Sequence, residues 1–222
     1  MRLYHFNGST TCRPVEMFAA EAGITLDLVP VDLMTGEHVG PGYTAKNPTQ
    51  QVPTLEDGDF LLTENAAILR YLATLADSPA YPKDPKARAR VDEQLDWFNT
   101  GFSREFCYGA MYPRILPYLA FPDPAVQAAV EARCTEKGSR FMRILNDSML
   151  KDPGPFLGGA EPNLADYMGV AYATLGEMAR FDYSPYPRVQ RWIAAMKARP
   201  GWKAGHAGWE GWRDHVLSQV AA

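Results

Sequence analysis

Residues 2–31, RLYHFNGSTTCRPVEMFAAEAGITLDLVPV, contain two short apolar runs separated by a segment with helical spacing. The runs RLYHF and LDLVPV at its two ends have the length and composition of β-strands, and residues 13–22 between them favour a helix that ends at Gly23. Pro30 cannot donate a hydrogen bond to a central ladder, so we expect the second strand at a sheet edge. The stretch predicts a βαβ unit.

The next stretch predicts a hairpin followed by a helix. Two apolar runs, 52–55 and 60–63, are joined by Glu-Asp-Gly-Asp, and the Asp-Gly pair favours a tight β-hairpin turn. Residues 65–76 then carry leucine and isoleucine at helical spacing, behind Asn65 as a favoured N-cap residue. The first third of the chain is therefore expected to form βαβ followed by ββα.

A proline-rich segment separates this part from the rest. Residues 77–86, DSPAYPKDPK, have the composition of a linker between folded units. Beyond it the pattern is helical, in amphipathic segments at 87–112, 124–150, 163–179, 187–199 and 208–220. We expect two domains, 1–77 with strands and helices and 87–222 all-helical, joined by a linker at 78–86.

Composition limits the classes of partner. The chain has 222 residues and a net charge of −4, so no basic excess favours nucleic acid or an anionic membrane surface. Its three cysteines cannot form a complete disulfide framework, and with four scattered histidines they lack metal-ligand spacing. Neither a targeting signal nor a run of ~20 apolar residues is visible. We expect a soluble cytoplasmic protein that binds a small molecule and no metal.

The motif Ser9-Thr10-Thr11-Cys12 lies where the first strand meets the first helix. Unpaired N–H groups and the helix dipole favour a negative charge there, and a hydroxyl aimed at a bound thiol raises its thiolate fraction. Ser9 is the candidate donor, unless Ser9 and Thr10 only cap the helix. The S-x-x-C spacing also resembles a redox motif, which leaves Cys12 as an alternative nucleophile or as a buried helix cysteine.

Two further segments have features of a site for a peptide-like ligand. A cis proline at position 53 would turn the backbone of Val52 outward, where a ligand can pair with it as an added strand. Glu64 and Asn65 can hold an amino-acid head group, with its carboxylate at the helix N-terminus and its ammonium on Glu64.

In their order and spacing, these segments resemble the cytosolic glutathione S-transferases over nearly the whole chain. The resemblance rests on Ser9-Thr-Thr-Cys-Arg13, Val31-Asp-Leu33 followed by Gly36-Glu-His38, Asn47-Pro48 with Gln51-Val-Pro-Thr-Leu55, Asp57-Gly-Asp-Phe60 and Leu62-Thr-Glu-Asn-Ala-Ala-Ile68. Tyr81-Pro-Lys-Asp84 and Ala87-Arg-Ala-Arg-Val-Asp-Glu93 are similar to the theta branch. The resemblance implies an α/β thioredoxin-like N-terminal domain with a mixed four-stranded sheet, an all-α C-terminal domain, and a homodimer.

The resemblance also implies roles for individual residues. Ser9 would stabilise the thiolate of glutathione, which is a cosubstrate and not a tightly bound cofactor. Val52, ahead of cis Pro53, would pair its backbone with the cysteinyl part of glutathione. His38 and Gln51 would hold the glycyl end, and Glu64 and Asn65 the γ-glutamyl end.

Two positions depart from the family pattern. Residue 65 is usually a serine whose hydroxyl binds the γ-glutamyl carboxylate, and Asn65 would donate from an amide instead. Gln51 stands where theta-like members often have lysine, so the glycyl carboxylate loses a charge-assisted bond. His38 has a second interpretation as a solvated loop histidine.

The second substrate is expected to be an apolar electrophile. Its candidate pocket consists of Thr11, Phe102, Ser103, Phe106, Tyr112 and Trp209. Core packing explains the helical spacing of Phe102 and Phe106 equally well. Trp209 and Trp212 either cover the pocket or anchor the last helix.

The expected activity is conjugation of glutathione to apolar electrophiles, a detoxification reaction that depends on proximity and on the thiolate. Peroxide reduction, dehalogenation and ether cleavage begin with the same thiolate and are alternatives at the same site. A non-catalytic binding module is a third hypothesis, because a fold alone does not establish a function.

Overall fold

The structure, a computed structural model, describes residues 1–151 and 153–219. Its first third contains β1 (Arg2–His5), α1 (Arg13–Glu21), β2 (Asp27–Pro30), α2 (Pro41–Thr44), β3 (Thr54–Asp57), β4 (Phe60–Leu62) and α3 (Asn65–Leu75). The predicted order of βαβ followed by ββα is confirmed, with the short α2 inserted between the two units.

The four strands form one mixed sheet in the order β2-β1-β3-β4. β1 pairs in parallel with β2 and antiparallel with β3, which pairs antiparallel with β4. β2 lies at a sheet edge, as Pro30 predicts. Gly58 has a φ of +63° in the turn between β3 and β4, a conformation that glycine adopts without a steric penalty.

The remainder of the described chain is mostly helical. Its helices are α4 (Pro85–Trp97), α5 (Tyr112–Ile115), α6 (Pro124–Ile144), α7 (Leu164–Ala173), α8 (Leu175–Met178), α9 (Pro187–Lys197) and α10 (Trp202–Gln219). α4 continues into a π-helical segment, Phe98–Met111, and a shorter one, Leu145–Met149, follows α6. The last helix, predicted at 208–220, begins earlier at Trp202. Residue 220, the last of that predicted helix, and residues 221–222, the last of the predicted helical domain, lie outside the described residues.

α3 begins differently from the sequence prediction. Glu64 occupies the N-cap position with a φ of 65°, and Asn65 is the first helical residue. The Asn65 amide donates to the hydroxyl of Tyr172 at 3.2 Å, so this side chain is directed at α7 and not at the first turn of α3. The assignment of Asn65 as the N-cap is therefore wrong.

The sheet-containing part and the helices are packed together around α1, which contacts α3, α7 and α10. Gly205 of α10 approaches the backbone carbonyl of Arg13 so closely that a Cβ atom would collide with it. The buried Arg13 side chain donates to the Ala171 carbonyl at 2.6 Å and to Thr174 Oγ1 at 3.2 Å, and it stacks on Trp209. These contacts fix the start of α1 against the helical part.

Candidate active site

A cavity of about 120 Å³ lies where the sheet-containing part meets α7 and the π-helical segment that follows α4. Its sheet-side wall is formed by Thr10, Thr11, Asn47, Thr49, Gln51, Val52, Pro53, Glu64 and Asn65. Its helix-side wall is formed by Asn99, Ser103, Cys107, Tyr108, Tyr112 and Tyr172. Pockets that enclose whole ligands typically measure about 300–1,000 Å³, so this cavity has room for the reacting ends of molecules.

Ser9 lies in the loop between β1 and α1, directly after Gly8, which has a φ of +84°. The Ser9 N–H donates to the Phe6 carbonyl at 3.0 Å, and the Ser9 carbonyl accepts from the Arg13 N–H at 3.1 Å. The Ser9 hydroxyl is 3.1 Å from the Thr11 hydroxyl and accepts from the Thr11 N–H at 3.3 Å. Ser9 is half-buried and is not among the residues that line the cavity. Its hydroxyl contacts Thr11, which does line the cavity.

The Thr11 hydroxyl joins this loop to the start of β3. It donates to the Val52 carbonyl at 2.8 Å. Val52 is buried, and its peptide bond to Pro53 is cis. Within the part of the chain that the structure describes, the Val52 N–H has no hydrogen-bond partner.

The carbonyl of Gln51 is held from two sides. The Tyr43 hydroxyl donates to it at 2.6 Å and the Asn47 amide at 2.7 Å. The Tyr43 hydroxyl is also 2.9 Å from Thr54 Oγ1. These bonds fix the backbone that leads into β3, while the exposed Gln51 side chain lies at the cavity.

The start of α3 adds Glu64, which is exposed, and Asn65, which is 3% exposed. Besides accepting from the Asn65 amide, the Tyr172 hydroxyl donates to Asn99 Oδ1 at 3.0 Å. Burial raises the pKa of Tyr172, so this hydroxyl keeps its proton at neutral pH. One buried hydroxyl thus joins the two walls of the cavity.

His38 lies in a short 3-10 turn, Glu37–Val39, and does not line the cavity. It is half-buried, and its Nδ1 is buried without a hydrogen-bond partner among the described residues. Of the two side chains that the resemblance assigns to the glycyl end, the structure brings Gln51 to the cavity and leaves His38 outside it.

The helix-side wall comes mainly from the π-helical segment and the residue after it. Asn99, Ser103, Tyr108 and Tyr112 follow one another at four or five positions, the spacing of one face when hydrogen bonds run from residue i to i+5. The Tyr112 hydroxyl donates to Thr10 Oγ1 at 2.7 Å, and burial raises the pKa of Tyr112. The rings of Tyr108 and Tyr112 are 5.0 Å apart.

Phe102 and Phe106 belong to the core and not to the cavity. The sequence prediction placed them on one face with Ser103 because it used an α-helical period. With the π-helical period they lie on the side of the helix that faces away from the cavity. They are 0% and 1% exposed, and their rings lie 5.5 Å from Trp97 and 5.1 Å from Phe181, respectively. The predicted electrophile pocket is corrected accordingly for these two residues.

Trp209 also lies away from the cavity. It is fully buried, its ring is 4.5 Å from the guanidinium of Arg13, and its backbone packs against Gly8. Of the six residues proposed for the electrophile pocket, three line the cavity: Thr11, Ser103 and Tyr112. Of the two interpretations of Trp209, the structure favours the one in which it anchors α10.

The described cysteines are free and buried. Burial raises the pKa of Cys12 to about 12, and burial raises the pKa of Cys107 as well. Cys12 has no exposed surface, so its thiol is neither ionised nor accessible at neutral pH, which disfavours it as a nucleophile. Cys12 also occupies the N-cap position of α1 without a side-chain cap. The Ser9 hydroxyl accepts from the Thr11 N–H and the Ser9 carbonyl from the Arg13 N–H, so Ser9 also caps the turn that leads into α1.

A buried positive charge lies at the start of α1. Burial lowers the pKa of Arg13 to about 10, so the guanidinium stays charged at neutral pH. Its charge adds to the partial positive charge of the helix N-terminus. Sequence reasoning missed this role, although a cation in the first turn, where the helix dipole disfavours it, was an available signal.

Sequence reasoning also missed four residues of the helix-side wall: Asn99, Cys107, Tyr108 and Tyr172. Asn99 and Tyr108 share the four-to-five-residue spacing with Ser103 and Tyr112, a signal that can be used only once the segment is known to be π-helical. Tyr172 belongs to α7, and its place opposite Asn65 depends on the packing of distant segments.

None of the helices that the structure describes combines the length and the apolar character needed to cross a membrane. Within 1–151 and 153–219, no group of three or more His, Cys, Asp or Glu side chains is arranged to hold a metal ion. The polar groups of the two cavity walls are mainly hydroxyls and amides.

Comparison with known proteins agrees with this architecture. A family model of the glutathione S-transferase N-terminal domain matches residues 1–74. Glutathione S-transferase theta-1 from Bos taurus is 36% identical over 164 residues, which are 73% of this chain and 67% of that protein. Glutathione S-transferase D6 from Drosophila melanogaster is 31% identical, over 91% of this chain and 90% of the relative.

A solved structure gives the same result. The delta-class glutathione transferase of Nilaparvata lugens superimposes with a TM-score of 0.84, at 32% identity and over 98% of each chain. The chain belongs to the glutathione S-transferase family, and it is theta-like. The matched N-terminal model reaches from β1 into α3 and so includes the whole sheet-side wall.

Proposed function

We propose that the chain is a glutathione transferase that binds glutathione, stabilises its thiolate and adds it to an electrophile. The observation that carries this proposal is the hydroxyl pair of Ser9 and Thr11 at the start of α1, linked by hydrogen bonds to the Val52 carbonyl in the sheet-side wall. Membership of the glutathione S-transferase family supports the same activity.

Three physical effects favour a thiolate at this place. A free thiol has a pKa near 8.5, so only about a few per cent is ionised at neutral pH. The N-terminus of α1 favours an anion, and the buried charge of Arg13 acts in the same direction. A hydroxyl that donates to the sulfur stabilises the charged form further, and Ser9 is proposed as that donor. The Thr11 N–H holds the Ser9 oxygen, and the single Ser9 proton turns from Thr11 Oγ1 to the sulfur when glutathione binds.

The sheet-side wall offers groups for the remainder of glutathione. The Val52 N–H can donate to the cysteinyl carbonyl in the manner of an added strand, ahead of Pro53. Glu64 and Asn65 are proposed for the γ-glutamyl end. Gln51 and His38 are proposed for the glycyl end, which must then extend beyond the cavity, because His38 lies outside it.

The second substrate is proposed to bind at the helix-side wall, where ring faces provide an apolar surface beside the hydroxyls of Ser103 and Tyr112. With an aryl halide, the sulfur forms a bond to the ring carbon and the halide leaves with its electron pair. The thiol proton passes to solvent when the thiolate forms. The protein contributes proximity and a stabilised thiolate, without a covalent intermediate on a side chain.

Finer features of the chain are proposed on the same basis. We infer a cytoplasmic homodimer with a glutathione-binding domain at 1–77, a helical domain at 87–222 and a linker at 78–86. The end of α3 at Leu75 and the start of α4 at Pro85 support the linker. Size-exclusion chromatography coupled to light scattering tests the dimer.

The experiment combines calorimetric titration of glutathione with turnover of an aryl halide, an alkyl halide, a peroxide and an aryl ether. Formation of a glutathione conjugate supports transferase activity. Oxidised glutathione from peroxide alone would assign a peroxidase instead, and product from the alkyl halide or ether alone would assign dehalogenation or ether cleavage. Binding without turnover would favour a binding module, and absence of binding would contradict the proposal.

A further inference from the structure

The buried hydroxyl of Tyr172 connects one residue of each wall. It accepts from Asn65 Nδ2 at 3.2 Å and donates to Asn99 Oδ1 at 3.0 Å, and Tyr172 itself is 3% exposed. Asn65 stands at the first position of α3, where the family pattern has a serine, and it is as deeply buried as Tyr172. Asn99 is exposed and follows the start of the π-helical segment.

The three groups constrain one another's orientation. A tyrosine hydroxyl has a single proton, so when it donates to Asn99 it can only accept from Asn65. The Asn65 amide nitrogen has two N–H groups, and the hydroxyl accepts only one of them. The contact therefore directs Nδ2 and not Oδ1 toward α7, and the second N–H of the same nitrogen is left to donate to a carboxylate. Without the hydroxyl, a buried amide would lose its partner and change its rotamer to find another.

We propose that Tyr172 is a positioning residue for the γ-glutamyl carboxylate of glutathione, because it holds the Asn65 amide in the orientation that binds this group. The inference rests on the proposed function, and Asn65 is the residue through which Tyr172 acts. Asn99 supports the arrangement from the helix-side wall by accepting the hydroxyl proton.

The contact with Tyr172 allows an asparagine to occupy the position of the usual serine. A serine hydroxyl rotates freely about one bond, whereas an asparagine side chain is longer and has two dissimilar ends. An asparagine therefore needs a fixed partner to present the same end to a carboxylate each time. Tyr172 provides that partner from α7, 107 positions along the chain.

The experiment compares the affinity of two ligands for each variant. The ligands are glutathione and 4-aminobutanoyl-cysteinyl-glycine, which lacks only the γ-glutamyl carboxylate. Wild type is expected to bind glutathione about tenfold more tightly or better, since a hydrogen bond to a charged group has at least this value. In Tyr172→Phe the ratio is expected to fall below about threefold, with little change in affinity for the analogue.

Tyr167→Phe is the matched control. Tyr167 also lies in α7, is 3% exposed and donates a hydrogen bond, but its partner is Glu21, away from the cavity. Both variants lose one buried hydroxyl, so a general loss of stability affects them alike. Tyr167→Phe is expected to keep the tenfold ratio.

Two more variants keep the inference testable should Tyr172→Phe fold poorly. Asn99→Ala removes the acceptor of the Tyr172 proton at an exposed position, so the ratio should fall in the same direction by about threefold. Asn65→Ser introduces a side chain that is expected to bind the carboxylate itself. In that background Tyr172→Phe should no longer change the ratio, which a double-mutant cycle measures directly.

Each outcome decides between the proposals. A wild type that binds neither ligand would contradict the proposed function itself. A wild type that binds both equally, or a Tyr172→Phe variant that keeps the full ratio, would overturn the role of Tyr172 and leave the transferase proposal intact. An equal loss in Tyr167→Phe would also overturn it, since the effect would then be general.

Discussion

The two walls of the cavity are constructed by different means. The sheet-side wall depends on backbone groups at turns and helix starts, such as the carbonyls of Gln51 and Val52, each held by hydroxyl or amide donors. The helix-side wall depends on side chains that project from a π-helical segment, such as Ser103 and Tyr108. Hydrogen bonds across the cavity, from Tyr112 to Thr10 and between Asn65 and Tyr172, join the walls.

This difference separates the two substrates. Backbone groups present the same atoms whatever the side chain, so the sheet-side wall suits an invariant ligand such as glutathione. Side chains on a helix face change with a single substitution, so the helix-side wall can adapt to varied electrophiles. We therefore expect substitutions in the sheet-side wall to act on glutathione binding and thiol activation. Those in the helix-side wall should act on the second substrate, except at Tyr172 and Asn99, which orient Asn65 of the sheet-side wall.

The largest expected effect comes from removing the support of the helix-side wall. Asp166 is fully buried near the start of α7 and accepts from the Asn163 N–H and from Trp192 Nε1, both at 2.8 Å, and from two N–H groups of 157–158. Asp166→Ala would leave several buried donors unpaired. We expect the free energy of unfolding in urea to fall by about 3 kcal/mol or more.

Asp214→Ala is the control for this prediction. Asp214 pairs with Arg213 on the surface of α10, and its side chain is 66% exposed. Surface pairs of this kind contribute about 0–1 kcal/mol. A similar loss of stability in both variants would contradict the role given to Asp166.

The second prediction addresses the sheet-side wall. Thr11→Val keeps the shape of the side chain but removes the hydroxyl that donates to Val52 and contacts Ser9. We expect unfolding to become easier by about 1–2 kcal/mol and kcat for an aryl halide to fall by about tenfold, with less change in KM for that halide. Thr35→Val, in an exposed turn, should leave both quantities unchanged, and an unaffected kcat in Thr11→Val would contradict the account.

The smallest of the three effects is expected where the walls are joined. Tyr112→Phe removes only the hydroxyl that donates to Thr10 at 2.7 Å. We expect a loss of about 1 kcal/mol in unfolding free energy and a change of about threefold in KM for the electrophile, with KM for glutathione unchanged. Tyr118→Phe, at a side chain that is 70% exposed, is the control. A change in KM for glutathione alone would reverse the assignment of the walls.

Much of the sheet-containing part could be predicted because its strand positions and turns depend on residues that are close together in the sequence. Pro30 excludes a central strand, and Asp57-Gly58 favours one type of turn, so edge position and hairpin follow from a few residues. The start of α3 was the exception. Asn65 has a favourable N-cap residue type, but its contact with Tyr172 on a distant helix determines its orientation.

Less of the helix-side wall could be predicted, because its geometry depends on whether residues 98–111 are α-helical or π-helical, and the sequence alone does not distinguish the two. With an α-helical period Phe102 and Phe106 join Ser103, whereas the π-helical segment separates them. The early start of α10 was missed for a related reason. Glycines disfavour a helix by propensity, but Gly205 allows α10 to approach the backbone of α1 closely, and this packing outweighs propensity.

The central claim is that Ser9 stabilises the thiolate of bound glutathione. The most direct test follows thiolate absorbance of bound glutathione across pH in wild type and Ser9→Ala. The account predicts a pKa at least about one unit below 8.5 in wild type, a return toward 8.5 in Ser9→Ala, and a loss of about 100-fold in turnover at pH 7 with binding retained. An unchanged thiol pKa and full turnover in Ser9→Ala would contradict it and place the activating group elsewhere.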